Sequence, residues 1–180
     1  EYADQLLAIE ELSRVLPADV VIYVKENPMQ TATMREDAFF KRLFAIEKIR
    51  YLPITIDSFQ LISNSLFVAT ITGTAGWEAL QMGKPTVIFG DTWYSQLPGV
   101  FEWRNGIAIQ DVLNFRYDAQ ALQAAFSRLC EYLRPGVVDI DYKVLVEDYD
   151  AKANARLVAG AICDFIKSSQ PSESRCVAAQ

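Results

Sequence analysis

Three short stretches carry side chains able to hold a negatively charged group. The first is Thr72-Gly73-Thr74, which follows the apolar run 66–71 and precedes Ala75-Gly76-Trp77-Glu78-Ala79-Leu80. A buried strand, a tight turn and a helix fit that order. Gly73 suits the turn, and Thr72 or Thr74 can cap the helix with Glu78 close to the capping-box position. Gly83 and Pro85 stop the helix before a second buried strand, 86–89. A helix start at the carboxyl end of a strand offers free N–H groups and the positive end of the helix dipole, which suits phosphate. The same pattern also serves plain strand–turn–helix joins, so spacing alone leaves both readings open. The second stretch is Lys25-Glu26-Asn27-Pro28, and the third is the aromatic and polar segment 91–99, with Trp93 and Tyr94.

Composition narrows the chemistry. There is no histidine among the 180 residues, which removes histidine metal sites, Ser-His-Asp triads and histidine general bases. The net charge of −6 argues against a nucleic-acid surface. Hydrophobic residues make up 51%, enough for a folded core. No run is long and apolar enough to span a membrane, and no secretory signal is evident. The three cysteines, Cys130, Cys163 and Cys176, suggest no disulfide framework. A cytoplasmic setting is expected, with at most peripheral contact at the inner face of the membrane. The first residue is Glu1 and the opening residues already read as helix, so a fragment of a longer protein is expected.

The elements that must position these groups follow in order. A helical stripe, Tyr2, Leu6, Ile9, Leu12 and Leu16, closes at Pro17. Residues 19–25 read as a buried strand ending at Lys25, with Pro28 barring further pairing. A loop is predicted at 29–34, a helix at 35–48, a strand at 49–54 and a helix capped by Asp57. After segment 91–99, residues 107–109 read as a further strand, Asp118 opens a helix, and 142–167 reads as one long helical region. Residues 169–180 read as a polar flexible tail, leaving 1–168 as one domain. Alternating strands and helices predict an α/β fold with a Rossmann-like parallel sheet flanked by helices. Ligands in such folds bind beyond the carboxyl ends of the strands, where all three stretches are expected to lie.

Taken together, Lys25-Glu26-Asn27-Pro28, Thr72-Gly73-Thr74-Ala75-Gly76-Trp77-Glu78, Gly83-Lys84-Pro85, and Phe89-Gly90 with Trp93-Tyr94 resemble the capsule polysaccharide biosynthesis family. The likeness runs over roughly residues 20 to 100. It implies a GT-B architecture, two Rossmann-like domains across a cleft, with this chain as the donor-binding half and an amino-terminal acceptor domain as its partner. It implies a nucleotide-sugar donor, CMP-Kdo in the better-understood members, a polysaccharide or glycolipid acceptor, and no metal or other cofactor.

Residue by residue, the resemblance assigns donor phosphate to Lys25, Asn27, Thr72, Gly73 and Thr74. It gives the ribose and nucleoside to Glu78, Trp93 and Tyr94. Asn27 stands where the family motif carries histidine, so it can donate a neutral hydrogen bond but neither carry charge nor shuttle a proton. Charge building on the leaving phosphate would fall to Lys25 and the turn after Gly73. The general base is expected on the partner domain, leaving the catalytic residues of this chain unknown. Structural alternatives stand beside each assignment: Lys25 and Glu26 as a solvated strand end, Glu78 as a helix cap, and Trp77, Trp93 and Tyr94 as packing. A non-catalytic assembly or export module with the same fold, or a UDP-GlcNAc epimerase, would share the pattern.

Overall fold

The computed structural model describes residues 2, 4–27 and 35–169. Pro28, the loop expected at 29–34, most of the tail expected at 169–180 and Cys176 lie outside the described residues. The chain divides into two compact units, 1–126 and 127–180.

The first unit begins with helix α1 (Gln5–Val15), whose Asp4 side chain accepts a hydrogen bond from the Leu6 N–H. Leu6, Ala8, Leu12 and Leu16 bury one face of it. Its carboxyl end is closed by Lys48, whose ammonium donates to the carbonyls of Ser13, Leu16 and Pro17 at 3.3, 2.6 and 3.0 Å. Cations are favoured there because the last helical carbonyls are otherwise unpaired. Strand β1 (Ile22–Lys25) pairs in parallel with β2 (Ile49–Leu52), in the register Ile22 to Ile49. Helix α2 (Asp37–Phe44) lies between them in sequence. Leu6, Leu43 and Ile49 form the core beneath this pair.

A second parallel sheet has the order β3 (Val68–Thr70), β4 (Thr86–Ile88), β5 (Val100–Glu102). Helix α3 (Ser58–Ser63) precedes β3, with Asp57 capping the Gln60 N–H at 2.8 Å. Helix α4 (Ala75–Gln81) joins β3 to β4 and stops at Gly83, whose φ of 75° is left-handed. The central strand β4 is buried along its whole length. Val87 and Phe89 pack with Ala8, Leu12 and Leu16 of α1, and Ile22 of β1 lies against the same cluster. Among the described residues the two sheets share this side-chain core but no backbone hydrogen bond. Parallel strands joined through helices make the fold α/β and consistent with a Rossmann-like arrangement.

Three elements differ from expectation, the first being α2, which ends at Phe44 instead of running to 48. The strand after β4 is 100–102, not 107–109: Ile109 opens the short helix α5 (Ile109–Leu113). Thr86 N–H donates to the Gly99 carbonyl at 2.8 Å, which draws Val100 alongside β4. Helix α6 (Ala119–Cys130) starts at Asp118, which accepts from the N–H groups of Gln120 and Ala121. In the second unit, the continuous helix expected over 142–167 is two pieces. A 3-10 turn covers Ile140–Leu145, and α7 runs from Ala151 to Ser169. Asp148, with φ at 52°, interrupts the helical path between them.

Candidate functional site

The turn after β3 and the corner after β4 are built as one piece. Phe89 N–H donates to the Thr70 carbonyl and Gly90 N–H to the Ile71 carbonyl, at 3.0 and 2.9 Å, carrying the pairing of the two strands past their ends. Gly90 is needed for that approach: a Cβ there would sit 2.8 Å from the Thr72 methyl and 3.3 Å from the Ile71 carbonyl. Gly73 is needed for a local reason rather than for a left-handed backbone. Its N–H donates to the Thr70 hydroxyl at 3.0 Å, and a Cβ would meet that oxygen at 2.8 Å.

The polar groups of the turn are disposed differently from the capping arrangement read in the sequence. Thr74 is the residue before α4, with φ −63° and ψ −19°, and its side chain makes no capping bond. That backbone is already helical, whereas a capping side chain needs an extended one to reach forward. Glu78 lies four positions beyond Thr74, one past the capping-box place, and its carboxylate makes no hydrogen bond or ion pair among the described residues. The N–H of Gly73 is taken by Thr70 and that of Gly76 by the Gly73 carbonyl. The N–H groups of Thr74 and Ala75 have no acceptor among the described residues. Thr72, Gly73 and Thr74 are all exposed. The turn therefore presents two hydroxyls and uncommitted N–H groups, and Glu78 in the following helix is half-buried.

Segment 91–99 folds back onto this turn. Tyr94 is 1% exposed, and its hydroxyl donates to the Gly73 carbonyl at 2.6 Å. Burial raises its pKa above the usual phenol value, which keeps the donor proton in place; the adjacent Thr92 hydroxyl pulls weakly the other way. The Thr92 oxygen is itself buried, yet its geometry satisfies no hydrogen bond among the described residues. Trp93 stays 52% exposed while its ring meets Trp77 at 5.0 Å and Tyr94 at 5.3 Å. Trp77, Trp93 and Phe126 form a three-ring cluster, with Phe126 stacked on Trp77 at 5.1 Å and Trp93 6.5 Å from Phe126. Trp77 is thus packing, and Trp93 offers the open aromatic face. Next to Tyr94, and also against Gly76, the Thr86 hydroxyl donates to the Gly76 carbonyl at 3.0 Å. Thr70, Thr86 and Gly90 shape the turn, and of these the sequence singles out only Gly90. A Thr-x-x-Gly spacing at 70–73 is the one signal a side-chain turn would leave.

Lys25 and Asn27 belong to the end of β1, in the other sheet. Lys25 is half-buried and makes no ion pair among the described residues; Asn27 is exposed. Glu26 between them is 5% exposed and turned inward, where Arg35 grips it with two bonds of 3.0 and 3.1 Å. Arg35 also donates to Gln5 at 2.6 Å and lies 4.4 Å from the centre of the Phe39 ring. Glu26 is therefore a structural anchor rather than a solvated strand end, and it fixes the backbone that carries Lys25 and Asn27. No hydrogen bond or ion pair described here joins 25–27 to 72–78.

The order of these turns along a parallel α/β framework agrees with the comparison by sequence. A family model described as capsule polysaccharide biosynthesis protein matches residues 4–132, more than half of the chain. The chain belongs to that family. Membership gives it a role in capsule polysaccharide biosynthesis. The match covers β1 to β5 and all three stretches of candidate residues, and ends just past α6. No curated protein and no solved structure matches the chain. Among the described residues there is no cluster of three or more cysteine, aspartate or glutamate groups placed to hold a metal ion. No helix among them is long and apolar enough to cross a membrane.

Proposed function

We propose that this capsule-biosynthesis chain is the donor-binding half of a GT-B glycosyltransferase, with a CMP-activated sugar such as CMP-Kdo as its donor. The observation that carries the reading is the joined turn at the ends of β3 and β4. It leaves the Thr72 and Thr74 hydroxyls and the Thr74 and Ala75 N–H groups without a partner among the described residues, Thr72 and Thr74 being exposed and Ala75 half-buried. Donors of this kind, held rigidly, stabilise charge as it builds on a leaving phosphate. Lys25 supplies the positive charge and Asn27 a neutral donor, if the end of β1 faces the same phosphate. The Glu78 carboxylate accepts from ribose hydroxyls, and the open face of Trp93 covers the nucleoside. The base that activates the acceptor hydroxyl lies on a separate domain in this scheme, so this chain alone binds donor and transfers little sugar.

Calorimetric titration of the chain with CMP, UDP and GDP tests the reading. CMP is expected to bind, and Thr74→Val and Lys25→Ala are each expected to weaken it about tenfold, the loss of one charge-assisted hydrogen bond. Absence of heat with all three nucleotides would refute it. Asn27, in the place of a histidine, favours the second reading, a non-catalytic assembly or export module; that module predicts no nucleotide binding.

A further inference from the structure

We propose that Tyr94 is a positioning residue for the donor phosphate, acting through the Gly73–Thr74 peptide without touching the ligand; this rests on the donor-site reading above. The Gly73 carbonyl and the Thr74 N–H belong to the same peptide plane, and there is no cis peptide bond among the described residues. In a trans peptide the two groups point in opposite directions. The Tyr94 hydroxyl holds the carbonyl from the buried side at 2.6 Å. The Thr74 N–H is thereby aimed the other way, on the face of the turn where Thr72, Gly73 and Thr74 are exposed. Accepting a hydrogen bond at the carbonyl also polarises the peptide and makes its N–H a stronger donor.

The same phenol explains the second glycine of the Gly-Thr-x-Gly run. A Cβ on Gly76 would collide with the Tyr94 hydroxyl oxygen and with the Thr86 methyl. Gly76 is the slot that the phenol occupies. Segment 91–99 thus reaches back 21 residues to set one donor of the turn. Thr86, holding the Gly76 carbonyl from β4, braces the Gly76–Trp77 peptide in the same way.

Tyr94→Phe removes the hydroxyl and keeps the ring. Two measurements on the chain test the assignment. Amide hydrogen exchange at Gly73 and Gly76, both bonded within the turn, is expected to speed up about tenfold. The amides of Leu16 and Phe89, in the α1–β4 core, are expected to stay unchanged. Affinity for CMP is expected to fall about tenfold. Unchanged exchange at 73 and 76, or the same acceleration at all four amides, would overturn the assignment. A wild type that binds and a variant that binds CMP equally well overturns it alone. A wild type that binds no nucleotide overturns the donor reading and this assignment together.

Discussion

Replacing Gly76 by alanine sets two effects of known size against each other. Gly76 is in the first turn of α4, and its backbone is ordinary helix, so alanine is favoured by about 1 kcal/mol through chain entropy. Against this, the new methyl would stand 2.8 Å from the Thr86 methyl and closer still to the Tyr94 hydroxyl. Neither neighbour is free to move. Thr86 is 0% exposed and is bonded to the Gly76 carbonyl, and Tyr94 is bonded to that of Gly73. Overpacking of this kind costs about 1–3 kcal/mol, and displacing the phenol forfeits a hydrogen bond worth about 1 kcal/mol. The steric side wins, for a net loss of about 1–3 kcal/mol. At roughly 2–4 °C per kcal/mol for a chain of this size, the melting temperature falls by about 2–12 °C. All three tryptophans, at 77, 93 and 103, lie in the first unit, so their fluorescence follows that unit specifically. In Gly76→Ala/Tyr94→Phe the hydroxyl clash is gone, so the pair is expected to lose less than the sum of the single losses. A Gly76→Ala protein that melts at or above the wild-type temperature would refute the packing argument, as would strict additivity with Tyr94→Phe.

Two further outcomes are expected. Burial raises the pKa of Tyr94, and burial followed by the nearby Glu26 charge raises that of Tyr51, each from a usual value of 10.0. The folded protein then holds these protons more tightly than the unfolded chain, so their contribution is complete below pH 10 and is lost as pH climbs through the folded values. Urea midpoints measured from pH 8 to 11 are expected to fall at the alkaline end, and less so in Tyr94→Phe; an unchanged alkaline slope would contradict this. Glu26→Ala leaves the Arg35 guanidinium without its main partner. Because Arg35 keeps 20% of its side chain in water, the cost is expected near 1–3 kcal/mol, below that of a fully buried pair. Urea unfolding reads it directly, and a loss under about 0.5 kcal/mol would place the pair among ordinary surface bridges.

The parallel α/β class was legible because the strand runs read at 20–24, 49–54, 66–71 and 86–89 are short, mostly apolar and set off by turn residues. Strand 100–102 was not. Val100-Phe101-Glu102 is no more apolar than its surroundings, and it becomes a strand by pairing with Thr86-Val87-Ile88, fourteen positions earlier. Residues 107–109 have equal local preference and no such partner. The break near Asp148 escaped the periodicity because a left-handed residue leaves no mark in hydrophobic spacing. At the site, the turn and its two threonines could be read from order alone. The inward turn of Glu26 could not, since its partner Arg35 lies across a stretch whose path the sequence does not state. The link from Tyr94 to Gly73 is likewise a contact between distant positions.

Among the described residues the two sheets of the first unit meet through side chains and share no backbone hydrogen bond, with Val87, Phe89 and the buried face of α1 filling the boundary. A ladder of backbone bonds enforces register, and sliding one strand along another breaks several bonds at once. A greasy seam imposes no such step. No backbone bond described here therefore fixes the separation of the strand end bearing Lys25 from the corner bearing Thr74.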